Sequence, residues 1–275
     1  MRVPPADRTA WLDGVPTPTG QLAIPLSDPA VLVGHGLFET VALRDGHPLE
    51  LAAHLDRLEG SARALAMPHP PRDELERICR AAVSAEPSAC GWLKVLLTGG
   101  GRSIVFTGPM EPEEDGAPVR AVLLPWRRDR RGPLVGIKTT SYAANRLALD
   151  HARRRGADEG LWLNGRGHLC EACFANLFLV ERGRLFTPGR REGLLPGVVR
   201  ATVIRVARAG GIAVHETRVR TKRLARCDEA FLTSSLGGVR PLVMVDGRAI
   251  GGGVPGPLTR RLAELVGRTR RGHRC

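Results

Sequence analysis

Apolar residues recur along this chain at two spacings, one typical of helices and one typical of strands. Over 49–67 they return every three or four residues, which predicts an amphipathic helix that ends at the prolines of 68–71. Similar patterns predict helices over 72–85, 143–155, 196–209 and 258–266. Short apolar runs bounded by glycine or proline predict strands over 31–41, 92–97, 104–106, 119–124, 134–138, 160–164, 169–180, 214–219, 229–234 and 241–245. Helices and strands occur in both halves, so a mixed α/β fold is expected.

Proline and charge divide these predicted elements into two lobes. The stretch 125–133 is rich in arginine and proline, and we interpret it as a linker. It separates an N-terminal α/β domain at 1–124 from a C-terminal domain at 134–267, and a basic tail is expected at 268–275. In the first lobe, Arg44-Asp45-Gly46-His47 predicts a hairpin turn.

The net charge of +13 invites a nucleic-acid interpretation. The aromatic content argues against it, because aromatic residues make up 4% of the chain and include a single tyrosine, too few for a base-stacking surface. The densest basic runs also lie in the expected linker and tail. We therefore expect a small-molecule substrate, which the charge allows to be anionic, and no nucleic-acid partner.

Membrane association and disulfide chemistry find little support in the sequence. No apolar stretch reaches the roughly 18 residues of a membrane-spanning helix, and the N-terminus lacks a signal-peptide pattern. The six cysteines are scattered, which favours a reduced, cytoplasmic protein. Cys170 and Cys173 form a lone C-x-x-C without a second pair at zinc spacing, so no metal site is expected.

Lys138 stands out because the chain uses lysine so rarely. Of the 41 basic residues only Lys94, Lys138 and Lys222 are lysines. Lys138 ends the apolar run 134–137, where a surface charge is not needed. Arginine cannot lose its proton to become a nucleophile, whereas a partly buried lysine can, so Lys138 is a candidate for Schiff-base chemistry. The alternative is a strand-end lysine that extends to water.

Six short segments provide the context for Lys138. They are 34–40 (GHGLFET), 54–58 (HLDRL), 136–142 (GIKTTSY), 170–178 (CEACFANLF), 195–200 (LPGVVR) and 232–241 (LTSSLGGVRP). In this order they resemble the class IV, fold-type IV pyridoxal-phosphate enzymes, over about residues 10–265. That family holds branched-chain aminotransferases, D-amino-acid aminotransferases and 4-amino-4-deoxychorismate lyases. The resemblance implies a small N-terminal α/β domain, a larger barrel-like C-terminal domain that binds the cofactor, and a homodimer.

The resemblance also implies a role for individual residues. Lys138 takes the family's Schiff-base position, and Glu171 takes that of the carboxylate that pairs with the pyridine nitrogen. The phosphate is expected to be bound by Arg57, by the helix start at Gly197, Val198 and Val199, and by Ser235 and Leu236. Many relatives have threonine at the position of Val199, so one side-chain hydrogen bond is expected to be missing.

Three further positions match the family without a settled role. Tyr142 follows Lys138 by four residues; the resemblance implies that it faces the cofactor, and a role in packing is the alternative. Thr40, a catalytic candidate, and Asn176 occupy common family positions that can equally be structural. His35 stands where many relatives carry an acidic residue, and no role is assigned to it.

Two segments bear on the reaction. Thr98-Gly99-Gly100-Gly101 lacks the arginine that holds the substrate carboxylate in D-amino-acid aminotransferases, and the 234–241 segment resembles that of aminodeoxychorismate lyases. We therefore expect a lyase that converts 4-amino-4-deoxychorismate to 4-aminobenzoate and pyruvate, with Lys138 removing the proton. An aminotransferase of the same fold is the alternative. The substrate-binding candidates are Arg102, Lys94, Phe38 and Ser234.

Overall fold

The computed structural model describes residues 8–110 and 117–272, which fold into two compact units. The first unit contains the described residues up to 110 together with 137–142. The second contains 117–136 and 143–272.

The first unit is an antiparallel sheet with helices packed on one face. Its strands are β1 (Thr9–Leu12), β2 (Val15–Pro18), β3 (Gly36–Arg44), β4 (His47–Pro48), β5 (Gly91–Thr98) and β6 (Ser103–Pro109), in the order β2-β1-β6-β5-β3-β4. Its helices are α1 (Pro29–Val33), α2 (Leu51–Ala64) and α3 (Arg72–Ser84), with a 3₁₀ turn at Thr19–Gln21. The leucine stripe predicted over 49–67 is the buried face of α2, where Leu55 and Leu58 share one hydrophobic core with Val41 and Leu93 of the sheet.

The second unit is built on a long mixed sheet. Its strands are β7 (Val119–Arg128), β8 (Glu159–Asn164), β9 (His168–Ala172), β10 (Asn176–Glu181), β11 (Arg184–Pro188), β12 (Val214–Thr217), β13 (Val219–Arg220), β14 (Glu229–Ser234), β15 (Gly238–Val245) and β16 (Arg248–Ala249). Its helices are α4 (Ala143–Arg154), α5 (Val198–Ala209) and α6 (Pro257–Gly272), with 3₁₀ turns at Arg190–Glu192 and Thr221–Arg223.

The strand order in the second unit is that of a nearly closed barrel. It runs β12-β11-β10-β14-β15-β7-β8-β9-β13, with β16 paired to β15. The first and last strands of this order, β12 and β13, are separated along the chain only by Arg218, so the two ends of the sheet are drawn together. A core on one side of the sheet includes Leu177 and Leu232. Phe178 and Phe231 stack on the other side, beneath α5 and α6. The expected mixed α/β fold with a barrel-like second part is confirmed.

The strand predicted over 31–41 is wrong in its first half. Asp28 caps a short helix, accepting a hydrogen bond from the Ala30 amide, and Pro29 supplies a helix-compatible first residue. Gly34 then ends this helix in a left-handed conformation, with φ of 65°. Because the left-handed Gly34 changes the direction of the chain after α1, β3 begins only at Gly36.

Lys138 was predicted to end a strand, and it does not. Residues 133–136 form a turn, and the segment that follows joins the sheet only through an isolated bridge between Leu37 and Thr139. The predicted strand over 169–180 is two strands, because a turn closed by the Ala172 amide and the Ala175 carbonyl interrupts it. The predicted hairpin at 44–47 is confirmed, with Asp45 at φ of 52° in the turn.

Three other segments differ from expectation at their ends. The expected linker at 125–133 begins as strand, since β7 continues to Arg128. The segment 268–275, expected as a basic tail, is helical as far as the end of α6, and 273–275 lie outside the described residues. The helix expected from Pro196 begins two residues later, with Gly197 at its N-cap. The placement of the domain boundaries stays a prediction.

Candidate active site

In the first unit, Lys138 lies in an aromatic corner. Its Nζ atom is 4.2 Å from the centroid of the Phe38 ring and 4.8 Å from that of Tyr142. The two rings meet edge to face, with centroids 5.3 Å apart. The Lys138 carbonyl accepts a hydrogen bond of 3.0 Å from the Phe38 amide, which ties the lysine backbone to β3. The structure therefore brings together three of the predicted site residues.

Glycines let the lysine segment approach β3 this closely. The Thr140 amide donates to the Gly36 carbonyl at 2.8 Å, and the Thr140 hydroxyl donates to the Gly34 carbonyl at 2.8 Å. A Cβ atom on Gly34 would overlap the Ser141 hydroxyl, and one on Gly36 would lie 2.9 Å from the Thr140 hydroxyl. The glycines of the Gly34-His35-Gly36 motif are thus required by packing. The His35 carbonyl accepts a hydrogen bond from the Gly99 amide.

Arg57 belongs to a buried cluster of ionisable side chains. Its Nε and one terminal nitrogen each donate to a separate carboxylate oxygen of Glu39, at 2.7 Å. The imidazole Nδ1 of His54 lies 2.8 Å from the same carboxylate. Glu39 and His54 are 1% and 0% exposed. Burial raises the pKa of the Glu39 carboxyl, but the Arg57 charge and the His54 hydrogen bond outweigh it and hold that pKa at about 2.

The other substrate candidates of the first unit lie on or near β5. Lys94 is 9% exposed, pairs across the sheet with Thr40, and has its Nζ 5.6 Å from the Trp92 ring. Arg102 instead forms an ion pair of 2.7 Å with Asp13 through its Nε atom, at a partly exposed position. The Arg102 guanidinium is therefore already paired with a carboxylate.

In the second unit, Glu171 is a buried carboxylate at the end of β9. One of its oxygens accepts a charge-assisted hydrogen bond from Arg128. The other accepts from the Leu195 amide at 2.9 Å and from the Asn176 amide group at 3.3 Å. Glu171 is 4% exposed, so these donors offset the cost of burying its charge.

Arg128 is itself held from two further directions. Its second terminal nitrogen donates to Asn145 at 2.7 Å, and its guanidinium lies 5.1 Å from the ring of Trp162. Asn145 in turn donates to the Cys173 carbonyl. These contacts fix the cation beside Glu171 in one orientation.

The N-terminus of α5 adjoins this carboxylate. Gly197 is its N-cap, no side chain caps the helix, and its first turn holds no acidic residue. The first backbone amides of a helix have no acceptor within it, so Val198 and Val199 offer amides that suit an anion. A Cβ atom on Gly197 would overlap the Asn176 side-chain oxygen, which explains the glycine. Val199 is a buried apolar residue of the core beneath α5.

The turn between β14 and β15 carries the remaining predicted residues of this half. The Ser234 hydroxyl accepts a hydrogen bond of 3.2 Å from the Gly237 amide, and Ser235 lies half-buried near the tip of the turn. Thr233, the residue before the turn, pairs with Asn176 across the strands. Its hydroxyl is buried and has no hydrogen-bond partner among the described residues. A ligand with a polar group would satisfy it.

The C-x-x-C cysteines are part of the packing behind Glu171. Burial raises the pKa of the Cys170 and Cys173 thiols to about 12. The Cys170 thiol donates to the Glu192 carbonyl at 2.9 Å, and Cys173 receives support from Glu159, whose carboxylate accepts its amide at 3.1 Å. Across residues 8–110 and 117–272 there is no cluster of histidine, cysteine and carboxylate side chains that suits a metal ion. No helix in that same part of the chain is long and apolar enough to span a membrane.

Each of the two units offers groups that fit pyridoxal phosphate. An amine between aromatic rings suits the aldehyde, and a buried carboxylate suits a protonated pyridine nitrogen. An uncapped helix start and an adjacent turn suit a dianionic phosphate. The Thr233 hydroxyl, which has no partner among the described residues, shows that the second unit has unused hydrogen-bonding capacity near Asn176.

Sequence reasoning missed the residues that support these groups. Arg128 falls in the expected linker, Glu39 and His54 lie within the segments 34–40 and 54–58 without an assigned role, and nothing marks Asn145. The one available signal was Glu171 itself, since a carboxylate in an apolar strand requires a cation partner. The sequence does not say which of its many arginines supplies it.

Known proteins are similar to this chain over most of its length. The family model of class IV amino-transferases matches residues 36–245. The Methanocaldococcus jannaschii protein named "Putative branched-chain-amino-acid aminotransferase" is 30% identical over 256 residues, covering 86% of this chain and 88% of its own length.

Two solved structures are similar throughout. A branched-chain amino acid aminotransferase from T.th., solved with pyridoxamine 5'-phosphate, has a TM-score of 0.88 at 26% identity, covering 97% of this chain and 95% of that one. The Legionella pneumophila protein named "Putative 4-amino-4-deoxychorismate lyase" has a TM-score of 0.84 at 29% identity, covering 90% and 96%. The chain belongs to the class IV aminotransferase family.

Proposed function

We propose that the chain is a pyridoxal-phosphate enzyme in which Lys138 is the reactive amine and Glu171 the partner of the pyridine nitrogen. The observation that carries this proposal is that Glu171 is buried and accepts several hydrogen bonds, at the position where the family has the carboxylate for the pyridine nitrogen. The aminotransferase whose structure contains pyridoxamine 5'-phosphate supports the choice of cofactor.

Each side chain then has a defined task. The bound cofactor supplies an electron sink for charge that develops on the substrate carbon. Glu171 keeps the proton on the ring nitrogen, and Arg128 and the Leu195 amide hold Glu171 in place. Lys138 moves the proton at the substrate carbon, and the Phe38 and Tyr142 rings limit the positions its amine can take. Arg57, the α5 amides, Ser235 and Leu236 bind the phosphate.

We propose further that the reaction is the lyase reaction on 4-amino-4-deoxychorismate. Lys138 removes the proton from the amine-bearing carbon, and the bond from the adjacent carbon to the enolpyruvyl oxygen breaks. The enolpyruvate takes up one proton at carbon to give pyruvate, so atoms balance without water or an oxidant. The remaining ring is 4-aminobenzoate, and its aromaticity favours the products. Support comes from the 234–241 segment and from the similarity to the Legionella pneumophila protein.

The substrate carries carboxylates that need a cation. Arg102 is paired with Asp13, so Lys94 is the stronger of the two candidates. Lys94 has the geometry of a site residue because it is nearly buried on the strand face that also presents Thr40 and, two residues before it, Phe38. Ser234 is occupied in its turn by the Gly237 amide, which argues for a structural role.

An aminotransferase acting on a branched-chain or related amino donor is the second candidate. The similarity to the Methanocaldococcus jannaschii protein favours it. Both candidates use the same cofactor and the same lysine, and they differ in the need for a keto-acid acceptor. A homodimer remains our proposal from the family resemblance, and sedimentation of the purified protein tests it. A cytoplasmic location stays a prediction.

Two measurements test these proposals. The first is the visible absorption of protein supplied with pyridoxal phosphate, which Lys138→Ala must abolish and the exposed control Lys222→Ala must leave intact. Absence of the band in the unmodified chain would refute both candidates. The second is the release of pyruvate from 4-amino-4-deoxychorismate in the absence of a keto-acid acceptor. The released pyruvate is detected by its reduction in a coupled assay. No release, together with turnover of amino donors in the presence of 2-oxoglutarate, would replace the lyase with the aminotransferase.

A further inference from the structure

One arginine of the basic C-terminal run is buried. The inward face of α6 carries Thr259, Leu262, Val266 and Arg270, at the spacing of three or four residues that defines one side of a helix. The first three are at most 1% exposed and Arg270 is 6% exposed. Arg268 on the same helix has a side chain that is 75% exposed. Arg270 therefore occupies a core position where an apolar residue is expected.

The buried guanidinium is bound to the turn between β14 and β15. A terminal nitrogen of Arg270 donates to the Ser235 carbonyl at 2.8 Å. The same turn is closed from within by the Gly237 amide and the Ser234 hydroxyl. The turn is thus fixed internally by Ser234 and externally by α6, and the cost of burying the charge is offset by a charge-assisted hydrogen bond.

Peptide geometry gives this contact a consequence for the next residue. In a planar trans peptide unit, the carbonyl of one residue and the amide of the following residue point in opposite directions. Arg270 holds the Ser235 carbonyl toward α6, so the Leu236 amide points to the opposite side of the turn. The Leu236 amide is one of the donors proposed for the cofactor phosphate.

We propose that Arg270 is a positioning residue for phosphate binding, which aims the Leu236 amide at the phosphate and adds positive charge behind it. A cation on the carbonyl side also polarises the peptide unit and strengthens its amide as a donor. The ligand concerned is the phosphate monoester of the cofactor. The inference rests on the proposed function, because Ser235 and Leu236 are phosphate ligands only in a pyridoxal-phosphate enzyme.

The test compares two ligands that differ only in the phosphate. The full chain is freed of cofactor by dialysis, and its dissociation constants for pyridoxal 5'-phosphate and for pyridoxal are measured by absorbance titration. Arg270→Met keeps an apolar stem of similar shape but removes the cation and its donors. Arg270→Lys keeps the charge but not the planar fork. Arg268→Ala is the matched control from the exposed face of the same helix.

Arg270→Met is expected to weaken pyridoxal 5'-phosphate binding by about tenfold, the effect of one hydrogen bond to a charged group. The dissociation constant for pyridoxal should change by less than about twofold. Arg270→Lys should bind pyridoxal 5'-phosphate with an affinity between those of the parent chain and Arg270→Met, and Arg268→Ala should bind it like the parent chain. Equal weakening of both ligands would assign Arg270 to folding alone and overturn the proposal, as would no weakening of either.

Two control readings keep the result decisive. If Arg270→Met does not fold, Arg270→Lys must still lose affinity for pyridoxal 5'-phosphate selectively. A lysine variant that binds both ligands as tightly as the parent chain then overturns the proposal. A parent chain that binds neither ligand refutes the proposed function itself. If instead the parent chain binds both ligands and the Arg270 variants bind them equally well, the proposed function stands and only the role of Arg270 is refuted.

Discussion

The buried cluster around Glu39 makes the sharpest prediction about stability. Glu39→Gln keeps the shape of the side chain and removes its charge, so that Arg57 and His54 lose their common carboxylate. A glutamine offers one acceptor oxygen where the carboxylate offered two. The variant is therefore expected to be less stable at neutral pH.

The size of the effect follows from the carboxyl pKa, which is ordinarily 4.5 for a glutamate and is about 2 in the folded protein. Each pKa unit corresponds to about 1.4 kcal/mol, so the charge contributes about 3 kcal/mol above pH 4.5. This agrees with the roughly 3–5 kcal/mol lost when one partner of a buried ion pair is removed. Because the folded pKa is depressed, the contribution is lost as pH falls: by about 1 kcal/mol at pH 4 and about 2 kcal/mol at pH 3.

The assay is urea unfolding of the parent chain and of Glu39→Gln at pH 7, 4 and 3. The gap between their free energies of unfolding should be about 3 kcal/mol at pH 7 and should narrow with acid. Asp56→Asn is the control, because Asp56 forms an exposed ion pair with Arg72 and should change stability by less than about 1 kcal/mol. A Glu39→Gln effect no larger than that of the control, or a gap that does not narrow, would refute the reasoning.

Three further predictions concern the second unit. Burial raises the pKa of Glu159 from 4.5 to about 7, so the folded state holds a proton that the unfolded state has lost, and the free energy of unfolding should fall as pH rises from about 4.5 to 7. Glu159→Gln should remove that slope in urea unfolding, and an unchanged slope would contradict the assignment. Arg128→Met should lower the free energy of unfolding by about 3 kcal/mol by leaving Glu171 buried without its cation, with partial recovery in Arg128→Met/Glu171→Gln; additive losses would argue against the pairing. Gly197→Ala should displace Asn176, lower stability by about 1–3 kcal/mol and weaken cofactor affinity in an absorbance titration, whereas Gly165→Ala, which meets no atom within 4 Å, should have little effect on affinity.

The elements with strong periodicity could be predicted from sequence because their pattern reflects burial directly. The leucine stripe of α2 is such a case, since Leu55 and Leu58 are apolar for the same reason that they are buried. Lys138 could also be singled out from the residues alone, because lysine is rare in this chain and its apolar neighbours do not explain a charge. Glu171 became a candidate through the family resemblance of the segment 170–178, and its small and apolar neighbours support that choice. In both cases the residue stands out against its own neighbours.

The errors occurred where one glycine or one turn decides the direction of the chain. The left-handed Gly34 ends a helix that the apolar residues before it do not distinguish from a strand. The turn that separates β9 from β10 is held by a hydrogen bond between Ala172 and Ala175 and by side chains that bind the Cys173 backbone. Such contacts depend on a few atoms rather than on a repeating pattern, so periodicity does not reveal them.

The partners of the site residues were unpredictable for a different reason, which the arginine-rich composition makes clear. In this chain an arginine is the ordinary surface residue, so its identity carries little information and only its burial separates a supporting cation from a solvated one. Arg128 and Arg270 both come from basic runs that looked like solvent-exposed charge, and each instead donates to a group expected at the cofactor. Lysine carries the opposite signal: it is rare, so Lys138 could be recognised before its surroundings were known. A compositional bias toward arginine therefore hides the supporting arginines and makes the lysine that we propose as the reactive amine easy to find.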